Sequence, residues 1–225
     1  MTKYLIFDSG PLINFAINGL LPLFKEIKKE FKGDFLIPPA VKKEIIDYPE
    51  TIKKFELESL QIGALLKENI IKLPEFSKEQ LKELDQITSD IMRIANSTYS
   101  VKGKDLQLID KGEAATLALS VILKQYPNVI VIDERTLRML CENPENLRKL
   151  LEKKLHTKVN AKEKNYAYFE GFKIIRSTEL VFIAHKKKLF ELKDPRTLDA
   201  MLYAMKFKGC SISENEIETI KKLWP

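Results

Sequence analysis

The sequence predicts an α/β fold built on a mainly parallel sheet. Short apolar runs bounded by polar residues are typical of buried parallel strands, and they occur at residues 4–7, 35–37 and 129–132. Segments with helical patterns separate these runs, and this alternation indicates parallel strands joined by right-handed crossovers. The chain has 225 residues and is 44% hydrophobic, so residues 1–225 can bury one core as a single domain.

The remaining elements follow in chain order. Weaker strand patterns lie at residues 70–73, expected at a sheet edge, and at residues 172–175, where Lys173 interrupts the apolar run. Pro39 suits the first turn of a helix, and Ser77 with Gln80 resembles a capping box. The predicted helices span residues 11–24, 39–46, 77–95, 113–124, 134–141 and 179–188.

Two polar, lysine-rich segments interrupt this pattern, at about residues 48–110 and 143–168. Apart from the weak run at 70–73, they lack strong strand signals, so we expect helical insertions that belong to the same domain.

Composition limits the classes of function. The formal charge is +6 and the pI is about 9.1, which is compatible with a nucleic-acid partner, although a Lys/Glu-rich thermophile surface explains it equally well. The sequence lacks a bilayer-length apolar run and a signal peptide, so we expect a cytoplasmic protein without membrane contact. Cys141 and Cys210 are far apart and predict neither a disulfide framework nor a zinc site.

Acidic residues fall where predicted strands end or the following helices begin. Asp8 ends the first strand and Asp133 ends the strand VIVI, with Glu134 next to it. Glu44 lies about one turn into the helix after FLIPP, and Glu113 lies in the first turn after DKG. Because the carboxyl ends of parallel strands share one edge, these acids can converge there.

Each acid also has a structural explanation. The helix dipole favours acids in a first helical turn, which accounts for Glu113 and Glu134. Glu44 fits a solvated surface, and Asp8 can cap the next helix. Converging carboxylates in a chain with only two histidines predict instead a site for Mg²⁺ or Mn²⁺, which supports phosphodiester hydrolysis.

Four segments resemble, in order, the signature segments of PIN-domain proteins: DSGPLI, IPPAVKKEI, DKGEAATLALS and VIVIDERTLR. The nearest likeness is to the archaeal and bacterial branch with the motifs D-T-S/G-P-L-I, P-x-x-V-x-x-E, G-E-A-x-A-x-A-L-A and I-D-D-R-x-x-R. The tail segments GFKIIRSTELVFIAHKKKLF and FKGCSISENEIETI resemble the closing elements of that branch. The resemblance covers most of the chain outside the two insertions.

The resemblance implies a three-layer α/β/α fold whose acidic pocket binds one or two Mg²⁺ or Mn²⁺ ions and cleaves RNA. Carried over by position, Asp8 and Glu113 are direct metal ligands and Glu44 is a ligand or a water-orienting base. Asp133 completes this catalytic set. Glu134 holds the second acidic position of I-D-D-R, and the sequence leaves open which of the pair faces the metal.

Three further residues are candidates for substrate binding. Ser9 keeps a hydroxyl where many relatives carry Thr. Arg138 either contacts the scissile phosphate through its planar guanidinium or forms a helix salt bridge with Glu134. Ser177 follows a predicted strand end, where it either lines the pocket or caps a helix.

The leading hypothesis is a metal-dependent ribonuclease, with the toxin of a toxin–antitoxin pair as its specific form, although the chain is longer than typical toxins. Its partners are then RNA and an antitoxin-type protein. The alternative is a catalytically silent PIN-fold module that binds RNA or protein. A haloacid-dehalogenase-like phosphatase is set aside, because Gly10 stands where that family needs a second Asp. An apolar stripe in the tail indicates core packing or a homodimer seam: Leu198, Met201, Leu202 and Met205.

Overall fold

The computed structural model describes residues 2–222, which form a mixed α/β structure around a parallel sheet of five strands. The strands within these residues are β1 (Tyr4–Phe7), β2 (Asp34–Leu36), β3 (Ile71–Lys72), β4 (Tyr99–Val101), β5 (Lys104–Asp105), β6 (Asn128–Val131), β7 (Asn160–Ala161) and β8 (Ile174–Ile175).

Helices make up most of the remaining described structure. The α-helices are α1 (Ser9–Ile17), α2 (Leu21–Phe31), α3 (Pro39–Lys42), α4 (Glu56–Lys67), α5 (Lys78–Ala95), α6 (Lys111–Ile122), α7 (Arg135–Glu142), α8 (Pro144–Leu155), α9 (Ser177–Lys186), α10 (Thr197–Phe207) and α11 (Glu214–Lys222). Within residues 2–222, none of them is both long and apolar enough to cross a bilayer. The predicted capping box at Ser77 and Gln80 opens α5 with both of its hydrogen bonds.

The main sheet has the strand order β3-β2-β1-β6-β8, and every neighbouring pair is parallel. The prediction that residues 4–7 form a central strand is confirmed, as are the weaker strands near residues 71 and 174. All five strands therefore end at the same edge of the sheet, and Asp8 follows the middle strand directly.

Side chains of the central strands alternate between two apolar clusters. Leu5 and Phe7 join a cluster with residues of α1, α2, α9 and α10, whereas Ile6 joins a cluster with residues of α5, α6 and α7. The ring of Phe7 lies 4.9 Å from that of Phe24 and 5.1 Å from that of Phe35. The stripe on α10 packs into the first cluster, so it is core, with Met201 partly buried at its margin. β1 is thereby held rigidly from both sides.

The predicted single helix over residues 11–24 is wrong, because the structure has two helices there. The first begins earlier, at Ser9, and ends before Asn18. Gly19 then adopts a left-handed backbone with φ of +67°, a conformation that glycine accepts at little cost. Pro22 lies in the first turn of α2, where a proline is tolerated.

The two insertions are not purely helical, which also corrects the prediction. β4 pairs with β5 in the first insertion and with β7 in the second, and the three form a small antiparallel sheet. The Tyr99 hydroxyl donates to the carbonyl of Pro144 at 2.6 Å, which is a second contact between the two insertions. These strands have only two or three residues, which is too short for an alternating pattern to predict them.

A buried arginine fixes the start of α9. Arg176 donates to Glu179, to Glu216 of α11 at 2.7 Å and to the carbonyl of Ser211 at 3.4 Å. Its side chain is only 12% exposed, so these acceptors satisfy a charge that has little water around it. The amino end of α9 is therefore tied to α11.

We expect Glu216→Gln to remove part of the acid-dependent loss of stability. Burial raises the pKa of Glu216, but hydrogen bonds from Ser213 and Arg176 outweigh burial and bring it to about 2, below its ordinary value of 4.5. This lowered pKa contributes stability that is present above about pH 4.5 and is lost as the pH falls toward 2. Thermal melts across this range should show a shallower decline for the variant; an identical decline would contradict the role of Glu216. Asp85→Asn, at an exposed position of α5, is the control and should leave the decline unchanged.

Candidate functional site

Asp8 is a buried carboxylate at the end of the central strand. Its side chain is 3% exposed, and its Oδ1 atom has no hydrogen-bond partner among residues 2–222. A buried polar oxygen without a partner costs about 1–3 kcal/mol, and more when it is charged. The sheet thus places an unsatisfied acceptor at its carboxyl edge.

The environment of Asp8 favours its protonated form. Burial is the largest effect, and the negative charges of Glu44 and Asp110 add to it. The amides of Ser9 and Gly10 favour the charged form but only partly offset burial, so the pKa of Asp8 is raised to about 7. A nearby cation would reverse this balance.

Glu113 enters the same pocket from the first turn of α6. Its backbone N–H donates to Asp110 Oδ1 and its Oε2 accepts from the Asp110 N–H, both at 2.9 Å, which forms a capping box. Burial raises the pKa of Glu113 to about 8; the Asp110 amide opposes this, and the charges of Asp110, Asp8 and Glu134 add to it. Asp110 is the acid that the sequence interpretation missed, although its D-x-x-E spacing from Glu113 was visible.

Glu44 borders the pocket from a π-helical turn, Lys43–Asp47, that continues α3. Its Oε2 lies so close to Gly112 that a Cβ atom there would collide with it. Burial raises the pKa of the Glu44 carboxyl, the Ser9 side chain opposes this as a hydrogen-bond partner, and Asp110 raises it further. The residue as a whole is exposed, so Glu44 is one of the pocket's solvent-facing acids, and Ser9 lies beside it.

Asp133 is also buried, at 2% exposure, but both of its carboxylate oxygens accept a hydrogen bond. Oδ1 accepts from the Ser177 N–H at 2.8 Å, and Oδ2 accepts from Asn14 Nδ2 at 3.1 Å. A Cβ atom at Gly10 would lie 3.7 Å from Asp133 Cβ and 3.9 Å from Asp8 Oδ2, so Asp8 and Asp133 flank Gly10. Asp133 therefore lies at the site while bonding to the scaffold.

Glu134 is the exposed member of the pair. It is the N-cap of α7, where its Oε2 accepts from the Leu137 N–H at 2.7 Å. Its charge still raises the pKa of Glu113, which locates it at the rim of the same pocket. Of the two neighbouring acids, Glu134 is the one open to solvent.

The other two substrate-binding candidates are buried. Arg138 donates from Nη1 to the Ser211 carbonyl at 3.3 Å, and its Nε lies 3.7 Å from Glu142 instead of pairing with Glu134. Ser177 is fully buried, and its Oγ has no hydrogen-bond partner among the described residues. The N-cap of α9 is Arg176, so Ser177 serves Asp133 through its backbone.

The pocket therefore gathers carboxylates that repel one another: Asp8, Glu44, Asp110, Glu113 and Glu134. Oxygen donors of this kind suit Mg²⁺ or Mn²⁺, and the unpartnered Asp8 Oδ1 gives such a cation a ligand, so the residues fit the predicted ion. Within residues 2–222, however, no three carboxylate, histidine or cysteine side chains are already arranged as a metal-binding group.

Comparison with family models, with curated proteins and with solved structures finds no significant match in any of the three.

We expect Asp8→Asn to stabilise the protein in the presence of a chelator. The raised pKa means that the contribution of Asp8 to stability is complete below about pH 4 and is lost as the pH rises to about 7. The loss is at most about 4 kcal/mol, which the amide avoids because it carries no charge. Denaturant unfolding across this range should show a shallower slope for the variant, with some slope left from Glu113.

Asp133→Asn is the matched comparison, because both residues are buried aspartates that follow neighbouring strands. The amide group offers one acceptor oxygen where Ser177 and Asn14 supply two donors, so one buried donor loses its partner. We expect a loss of about 1–3 kcal/mol in the free energy of unfolding. Equal effects of the two substitutions would refute the distinction between the two acids.

Proposed function

We propose that this protein is a metal-dependent endoribonuclease with a PIN-like three-layer α/β/α arrangement, which hydrolyses phosphodiester bonds in RNA. The observation that carries the proposal is the buried, unpartnered Asp8 carboxylate at the carboxyl edge of a parallel sheet, among acids that raise its pKa. Buried groups with perturbed pKa values in a pocket are typical of functional sites, since a stable fold alone does not require them.

The acids divide into distinct roles. Asp8 and Glu113 are the buried pair that would hold Mg²⁺ or Mn²⁺, with Glu134 at the rim. When bound, such an ion polarises the phosphate and lowers the pKa of a water molecule. Glu44 combines solvent access with a raised pKa, which suits a group that orients water or accepts its proton. Asp133, whose oxygens are engaged, positions the strand end and α9.

A silent binding module is the second candidate, and a specific observation favours it. The Glu113 carboxylate is engaged in the capping box of α6, and the described acids do not form a ready-made metal group. A protein of this kind would bind RNA or a protein partner without cleaving it.

A protein partner of the antitoxin type would have a surface beside the pocket. A groove of about 450 Å³ with mainly apolar lining borders Glu44, and its walls include Ile13, Ile17, Tyr48 and Phe55. Tyr48 and Phe55 are exposed there, at 65% and 45%. A protein that covered this groove would also cover the approach to Glu44, which is what inhibition of a toxin requires.

Metal binding tests the proposal without depending on activity. We expect Mn²⁺ to raise the melting temperature of the wild type, since a ligand stabilises the state that binds it. At a hundredfold excess over Kd, the free energy of unfolding should rise by about 2.7 kcal/mol. Asp8→Asn should lose this gain because Asn removes the charge that holds a hard cation. Asp85→Asn, an exposed acid on α5, should keep it.

Cleavage of single-stranded RNA with Mn²⁺ or Mg²⁺ completes the test. We expect Asp8→Asn to abolish cleavage with the fold intact, and Glu44→Gln to lower kcat more than it changes metal affinity. A wild type that binds RNA, gains no stability from metal and leaves several RNAs uncut would establish the binding module instead.

A further inference from the structure

The positive charge of the chain is concentrated in the second insertion. Residues 143–168 contain seven Lys or Arg residues and three Glu residues, a net charge of +4 out of +6 for the whole chain. The first insertion, residues 48–110, has nine basic and eleven acidic residues, a net charge of −2. The remaining residues share the other +4 over a much longer stretch, so the basic excess per residue is highest in the second insertion.

The small antiparallel sheet gathers lysines from both insertions. Lys102 and Gly103 form the two-residue turn between β4 and β5, with φ of +50° and +77°. Such turns favour Asn-Gly, and this left-handed backbone conformation is less favourable for lysine than for asparagine. The geometry of the turn thus does not account for a lysine at this position.

The strand register brings a third lysine to the same end of the sheet. Ser100 lies opposite Asn160, so Lys158, which precedes β7, lies at the end where Lys102 makes the turn. Lys104 follows in β5, opposite Val101. All three lysines are exposed, and within residues 2–222 their side chains have neither an ion pair nor a hydrogen bond. Neighbouring like charges repel, so this arrangement has an electrostatic cost that an anion would relieve.

The turn is also linked directly to the acidic pocket. The segment from Lys104 to Asp110 has six peptide steps, so it spans at most about 20 Å. Asn96 clamps this segment, because its Oδ1 accepts from the N–H groups of Leu108 and Ile109 and its Nδ2 donates to the Ile109 carbonyl. Lys104 therefore lies within about 20 Å of Asp110 at the pocket.

We propose that Lys102, Lys104 and Lys158 form a phosphate-binding face that holds an RNA strand beyond the acidic pocket. The inference rests on the proposed function, which supplies RNA as the ligand. Lysine is a compact point charge, so the face reads the backbone and not the base sequence. Large apolar side chains are not exposed between residues 99 and 108, as they would be on a surface that inserts into a bilayer.

A triple variant tests the face: Lys102→Asn, Lys104→Gln and Lys158→Gln. Lys102→Asn introduces the residue that the turn favours, so folding is preserved, which circular dichroism and the melting temperature verify. The control triple variant removes the same charge from exposed positions elsewhere: Lys78→Gln, Lys82→Gln and Lys193→Gln. Binding to a fluorescent single-stranded RNA of about 20 nucleotides is measured by anisotropy over a range of salt concentrations in EDTA.

Each phosphate contact contributes about 0.7 to the slope of log affinity against log salt for single strands, so the triple variant should lose about 2 from the slope. Its affinity at moderate salt should be about tenfold to a hundredfold weaker than that of the wild type, whereas the control keeps the slope. An unchanged slope in the triple variant overturns the inference. So does a result in which the variant loses binding to phosphatidylserine vesicles but keeps its affinity for RNA.

The proposed cleavage and this face fail separately, because binding in EDTA does not require catalysis. A wild type that never cleaves RNA, but whose RNA binding depends on the three lysines, refutes the nuclease and leaves the face standing. A wild type that cleaves RNA normally, with a triple variant of unchanged salt slope, refutes the face and leaves the nuclease standing.

Discussion

The carboxyl edge of the sheet depends on the hydrogen bonds around Asp133. Its two carboxylate oxygens accept from Asn14 in α1 and from the amide of Ser177 at the start of α9, and its carbonyl accepts from the Ser211 N–H. Asn14 also donates to the Met205 carbonyl near the carboxyl end of α10. Hydrogen bonds to both oxygens offset the cost of burying this carboxylate, so this single group fixes how several helices meet the strand ends. Asp8 of the acidic pocket lies beside this frame, because Asp8 and Asp133 flank Gly10.

Asp8 follows the neighbouring strand, and the environment of its carboxylate differs from that of Asp133. It is equally buried, yet one of its oxygens has no partner among the described residues, and acids surround it. The aromatic contacts of Phe7 with Phe24 and Phe35 hold β1 from one side, so the strand cannot move to relieve the repulsion. Stability from the core thus sustains a local arrangement that is unfavourable by itself, which is typical of functional sites.

The sequence predicted the location of a residue correctly where a rule of topology relates its position in the chain to its position in the fold. Parallel strands end at one edge, so the placement of Asp8 and Asp133 there followed from two strand ends, and that of Glu113 from a helix start. The partner of Asp133 could not be foreseen, because Asn14 lies 119 residues away and helical periodicity says nothing about that contact. Arg138 was placed beside Glu134 by helical spacing, yet its guanidinium reaches the Ser211 carbonyl, another contact between distant parts of the chain. Asp110 was visible in the sequence as half of a capping box, and only its neighbours in space make it part of the pocket.

The pairing of β4 with β7 has a consequence for the order of folding. About sixty residues separate the two strands, and α6, β6, α7 and α8 lie between them, so the pairing must close a long loop. Contacts of large sequence separation form late, after local helices and the elements between them are in place. With only two or three residues in each strand, the small sheet gains few hydrogen bonds of its own, so it depends on the buried Tyr99 side chain and its bond to the Pro144 carbonyl. The lysines of the two insertions therefore come together only when these distant segments have docked, and a strand of RNA that contacted all three would hold the two insertions together.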